Sequence, residues 1–151
     1  VSTPVAEDGW YITGCPVNGP AIAAAHDVVA VAWFTAVPVN SVRVAFSFDD
    51  GRSFAAPVDV SPVSPVGRVD LVVDAAGNAI VSWLSPAQEG FVYRRVQPSG
   101  EMGKIHLVAP MASHRNAGFP RMVQSDDRLI FAWTDSLADS PTVRAMSLSG
   151  G

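Results

Sequence analysis

Apolar positions in this chain come in short bursts, each closed by a turn. Three bursts, Val28–Trp33, Asn78–Trp83 and Arg128–Trp133, are strand-sized and end on tryptophan. The tryptophans recur at a constant interval of about 50 residues. A fixed period of this kind marks a repeat architecture, and its length suits one four-stranded β-propeller blade.

Aligned on the tryptophans, each unit opens with a strand after a glycine: Gly19-Pro20-Ala21, Gly67-Arg68-Val69 and Gly118-Phe119-Pro120. A turn follows at His26-Asp27, at Asp74–Asn78 and at Ser125–Arg128, built from residues that accept turn dihedrals. The second strand reaches the tryptophan and reads as apolar on both faces, as in a strand sandwiched between neighbouring sheets. A third strand places Arg43, Arg94 and Arg144 in common register. A fourth is expected from Ala56 and from Lys104, whereas the third unit stops before one. Gly9-Trp10-Tyr11-Ile12-Thr13 reads as a strand ahead of the first unit.

The expected fold is therefore all-β. One domain over 1–151 carries three four-stranded propeller blades at about 19–61, 67–109 and 118–151, with 9–14 as a spare outer strand. Rings close with about four to eight blades, so three blades read as half of a six-bladed ring. Its open edges would be met by a second copy or by a missing N-terminal half.

Composition narrows the chemistry. Hydrophobic residues make up 48% of the chain and charged residues 16%, ample for a core. Net charge is −4, and the cations are nine dispersed Arg and one Lys, with no basic stripe for nucleic acid. No apolar run is long enough for a transmembrane helix, and no membrane insertion is expected. Cys15 stands alone, so it has no intrachain disulfide partner and reads as a small apolar core residue. His26, His106 and His114 lack metal-ligand spacing. No cofactor is expected.

The sharpest local motif is Ser47-Phe48-Asp49-Asp50-Gly51-Arg52-Ser53-Phe54, which matches S-x-D-x-G-x-[ST]-[WF] at every specified position. Asp49 is suited to accept turn N–H bonds, Gly51 to take a positive φ, and Phe54 to pack beneath the hairpin. This is the Asp-box or bacterial neuraminidase repeat. A degenerate counterpart spans Gln97–Met102. With Gly14–Pro20 (GCPVNGP), Val29–Ala36, Gly67–Asp70 (GRVD), Val81–Leu84 and Gly118–Met122 (GFPRM), the chain resembles the C-terminal half of uncharacterised bacterial sialidase-like propellers. The resemblance implies a six-bladed ring and an extracellular or cell-envelope protein. It leaves activity open, because such propellers include sialidases, other glycosidases and non-enzymes.

Sialidases hold a substrate carboxylate with clustered Arg and attack with Tyr. The family's F/Y-R-I-P motif is absent from this chain; Phe119-Pro120-Arg121-Met122 is not it. Its tyrosines are Tyr11, on the expected outer strand, and Tyr93, on a third strand. No catalytic residue is therefore assigned. The leading expectation is a non-catalytic propeller that binds or scaffolds a glycan or protein ligand. The alternatives are a truncated or split exo-glycosidase of the sialidase type and a purely structural, self-assembling subunit.

A ligand site over the central channel would use the openings of the innermost strands: Asn18, Arg68, Asp70 and Arg121. The competing reading of these residues is an Arg–Asp pair that fills the channel and satisfies its own charges. Glu89 and the His114-Arg115-Asn116 loop are further candidates. The repeated Trp33, Trp83 and Trp133 read as core posts, one per blade, and the off-period Trp10 as an interface or binding aromatic.

Overall fold

The computed structural model of the chain describes residues 2–12, 17–112, 117–137 and 140–149. Cys15, and the loop at His114-Arg115-Asn116, lie outside the described residues. The eleven described strands form three antiparallel sheets. Blade 1 contains β1 (Ala21–Ala25), β2 (Val28–Thr35), β3 (Ser41–Ser47) and β4 (Val58–Asp59). Blade 2 contains β5 (Gly67–Val73), β6 (Ala79–Ser85), β7 (Gly90–Val96) and β8 (Met102–Pro110). Blade 3 contains β9 (Arg121–Ser125), β10 (Arg128–Asp135) and β11 (Thr142–Ser149). Each blade is a meander in chain order, so every strand pairs with its neighbour in sequence.

The innermost strands stand side by side: β5 packs on β1 and β2 on one side and on β9 on the other. Two apolar clusters fill the gaps. Ala30, Ala32, Phe34, Val42, Val44 and Phe46 of blade 1 pack with Leu71, Val81, Trp83 and Val92 of blade 2. Ile80, Leu84 and Phe91 on the opposite face of blade 2 pack with Met122, Leu129, Phe131 and Trp133 of blade 3. Phe91 meets Phe131 edge-on, ring centroids 5.8 Å apart. Sandwiching explains β6: all seven of its residues are buried, as a strand covered on both faces requires. The outer two blades have one covered face each, and β2 and β10 keep half-exposed positions. The expected two-sided burial therefore holds in full only for the central blade.

Three further expectations are corrected. Gly9-Trp10-Tyr11-Ile12 is not a strand: these residues have no ladder, because a strand forms only against a partner strand. Thr13 and Gly14 lie outside the described residues. Arg94 does not share the register of Arg43 and Arg144. Arg43 pairs opposite Trp33 and Arg144 opposite Trp133, but Val92 is opposite Trp83 and Arg94 opposite Val81. Arg94 instead donates to the Val60 carbonyl at 3.0 Å and to the Gly103 carbonyl at 2.7 Å, tying the outer ends of blades 1 and 2. Finally, the tryptophans are not equivalent. Trp83 is 0% exposed and Trp133 8%, while Trp33 is only half-buried.

The reason lies in the direction each tryptophan faces. Trp83 points at blade 1 and Trp133 at blade 2, each toward the blade before it. Trp33 has no described blade before it. The N-terminal segment lies there instead: Asp8 accepts from Trp33 Nε1 at 2.5 Å and from Arg43 at 2.6 Å, and Trp10 meets Phe34 edge-on.

Candidate functional site

The openings of the innermost strands are joined in pairs across neighbouring blades. Gly67 takes φ +97° and Arg68 φ +59°, a bulge that shifts the β5–β6 register before Asp70. Asn18, just before β1, closes over this bulge. Its Oδ1 accepts the Arg68 N–H at 3.0 Å and its Nδ2 donates to the Val66 carbonyl at 3.2 Å. A Cβ on Gly67 would stand 2.5 Å from that Oδ1, so glycine is needed for both the backbone angle and the close approach.

Arg68 is buried, 7% exposed, and its guanidinium donates to the Val17 carbonyl at 3.1 Å. The guanidinium carbon lies 4.0 Å from the centroid of the Phe119 ring, a cation–π geometry. Asp70 is also buried, 3% exposed. It accepts the Met122 N–H at 2.7 Å and pairs with Arg121 Nε at 3.4 Å. The four residues form two inter-blade ties, Asn18–Arg68 between blades 1 and 2 and Asp70–Arg121 between blades 2 and 3. The Arg121 side chain remains 72% exposed, and Phe119 is 62% exposed. Glu89 is exposed in the β6–β7 turn at the same end of blade 2.

Phe119 is absent from the sequence-derived candidates. Its signal is an aromatic at the opening of an innermost strand, beside the glycine that starts it. Asp8 is likewise missed, because its partners Trp33 and Arg43 are distant in sequence and meet only through β2–β3 pairing.

The Ser47–Phe54 turn is closed by its own side chains. Ser47 Oγ accepts the Gly51 N–H at 2.9 Å and donates to Asp49 Oδ1 at 2.8 Å. Asp49 accepts the Ser53 N–H at 2.8 Å and the Ser53 hydroxyl at 2.6 Å. Gly51 takes φ +78°. Hydrogen bonds from Ser53, first the hydroxyl and then the N–H, with Ser47, hold the Asp49 carboxyl at about 2, against an ordinary 3.8. Phe54 is half-buried and Phe48 exposed.

Of the tyrosines, Tyr11 is 85% exposed. Tyr93 stacks on His106, centroids 5.0 Å apart, beside a cavity of about 290 Å³ that Arg95 and Lys104 also line. Burial pushes the Tyr93 phenol up, with Arg95 pulling in the opposite direction. Among the described residues no group of three His, Cys, Asp or Glu side chains could hold a metal ion, and no helix is long and apolar enough to cross a membrane.

Comparison with known proteins places the fold. No protein family description matches the sequence, and no curated protein matches it. Solved structures do. The GH43 BlXynB protein from Bacillus licheniformis superposes with a TM-score of 0.57 at 12% identity, over 85% of this chain and 27% of that one. A mutant NanB sialidase from Streptococcus pneumoniae gives 0.55 at 12% identity, over 87% of this chain and 23% of that one. The α-L-arabinofuranosidase CtGH43 from Clostridium thermocellum gives 0.50 at 13% identity, over 85% and 46%. The chain is a partial β-propeller. It spans less than half the length of each of these structures.

Proposed function

We propose that this chain is a sialidase-like propeller segment that binds an acidic glycan without catalysing its hydrolysis. The Ser47–Phe54 turn is its Asp box, and its setting is extracellular or in the cell envelope. The observation that carries the binding reading is an exposed guanidinium and an exposed aromatic ring two residues apart at the opening of β9. Arg121 offers donors to a carboxylate, and Phe119 offers a flat face to a sugar ring. Both stand on buried supports: Asp70 under Arg121, and the Arg68 guanidinium against Phe119. The glycosidase propellers among the structural neighbours support a glycan-related role.

The non-catalytic part rests on how the acidic and phenolic groups are used. Asp70 is committed to an N–H and an arginine, and Asp49 is held ionised within a turn. A general acid needs a raised carboxyl pKa, the reverse of the lowering at Asp49. Tyr93 is pushed up, the reverse of what activates a phenol as nucleophile.

Calorimetric titration with sialyllactose and with lactose tests the reading. Selective binding of the acidic sugar is expected, weakened about tenfold or more by Phe119→Ala and by Arg121→Ala, the latter compared with Arg121→Lys, which keeps a cation beside the buried Asp70. Equal affinity for both sugars, or alanine variants that bind like the parent, would refute it. The glycosidase neighbours keep a second reading in view, a segment that completes a hydrolase site. Turnover of a fluorogenic sialoside by the purified chain would establish that reading instead.

A further inference from the structure

The N-terminal segment follows the path of an outer strand. β8 runs ahead of blade 3 as residues 2–10 run ahead of blade 1. Arg121 and Ala21 hold equivalent register positions, opposite Ala132 and Ala32, and Trp10 precedes Ala21 by the same stretch as Pro110 precedes Arg121. Burial follows the same rhythm over residues 5–8 and 105–108. Ile105 and Val108 are covered, with exposed His106 and Leu107 between them; Val5 and Asp8 are covered, with exposed Ala6 and Glu7 between them. Val108 is the residue that the β7–β8 register skips, and it joins the apolar cluster of Trp133. Asp8, its counterpart, bonds Trp33.

Residues 2–10 thus resemble an outer strand without a sheet. Blade 3 is the reverse, a sheet whose β11 has no outer neighbour among the described residues. The face of β11 that would meet a following blade is open: Val143 is 77% exposed, and Ala145 and Ser147 are exposed. The opposite open face, on blade 1, holds a cleft of about 610 Å³ lined by Ile22, Val29 and Val31 together with Thr3 and Val5. An unpaired strand edge is a ready template for another chain.

We infer that residues 2–10 of a second copy pair with β11 as the outer strand of blade 3, and that the exchange is reciprocal. The open face of blade 3 then meets the open face of the partner's blade 1, repeating the contact that blades 1 and 2, and blades 2 and 3, already make within the chain. A two-fold axis gives both contacts at once and closes a six-bladed ring. The register follows from blade 2. Val92 pairs with Leu107 there, Arg144 is the counterpart of Val92, and Glu7 is the counterpart of Leu107. Glu7 of the partner subunit therefore lies opposite Arg144. Both side chains are exposed in the single chain, and opposite charges directly across an antiparallel pair favour the pairing. Arg144 already reaches Asp135 at 2.7 Å, and a guanidinium has donors for a second carboxylate.

Sedimentation equilibrium of the full chain over a dilution series is the test. The expected particle has twice the 15.9 kDa chain mass. Glu7→Arg and Arg144→Glu should each weaken association about tenfold or more, and the doubly swapped chain should recover it. Recovery separates a lost contact from a damaged fold. A monomer at every concentration overturns the inference. So does association that ignores both single variants, or a double variant that fails to recover.

Discussion

Asp70 ties the second blade to the third through one carboxylate. Removing it strands the buried Met122 N–H and frees Arg121. Asp70→Ala should lower stability by about 1–3 kcal/mol in urea unfolding, chiefly through the unpartnered N–H. Asp70→Asn should recover most of that, because it keeps an acceptor for the Met122 N–H and removes the buried charge together with its ion pair. Asp49 shows a different logic, since its bonds serve a turn at the surface. Its carboxyl is held at about 2, below the ordinary 3.8, so the folded state binds fewer protons than the unfolded state across that window. The turn's contribution is present above about 4 and is lost as pH falls toward 2. A side-chain NMR titration of Asp49 should show a midpoint near 2, and Asp49→Ala should admit protease at Phe48–Phe54 at neutral pH.

Among whole elements, the blades differ by what covers them. Trp83 is sealed between two sheets, and Trp83→Ala should cost about 3–5 kcal/mol as a large core truncation. Trp33→Ala, measured in dilute solution, should cost less than half as much, because the ring has only the N-terminal segment on its outer side. Equal losses would contradict the directional packing of the tryptophans. The β5 bulge is similarly local. Gly67→Ala meets both a φ of +97° and the Asn18 side chain, so it should destabilise by about 1–3 kcal/mol and loosen the Asn18 clamp.

Across the whole molecule the two outer faces are less protected than the centre. β6 is flanked by β5 and β7 and buried throughout, whereas β11 is an exposed edge. Amide exchange should be slowest in β6 and fast in β11 in dilute solution, with β11 slowing as concentration rises if copies pair. Each of the solved structures extends well beyond the region this chain covers. Among the described residues three blades bury two interfaces, and the faces beyond them are only partly covered.

The sequence alone determined the repeat. Short apolar runs, turn residues and a constant tryptophan interval are local signals, and they located three meanders and the Ser47–Phe54 turn because each depends on neighbours in the chain. Asn18, Arg68, Asp70 and Arg121 were legible as the openings of equivalent strands, and the structure bonds them in two separate inter-blade pairs. Only the tertiary structure decided which way each face points. Trp33 and Trp83 have the same local pattern, yet one faces a blade and the other an N-terminal segment. The apparent match of Arg94 to Arg43 dissolved in the register, because strand pairing counts residues from the tryptophan and not from the arginine. Phe119 and Asp8 acquired roles through contacts with Arg68 and with Trp33 and Arg43, partners brought near by sheet pairing and blade packing. Pattern sets what a strand can bury; the neighbouring blade determines what it does bury.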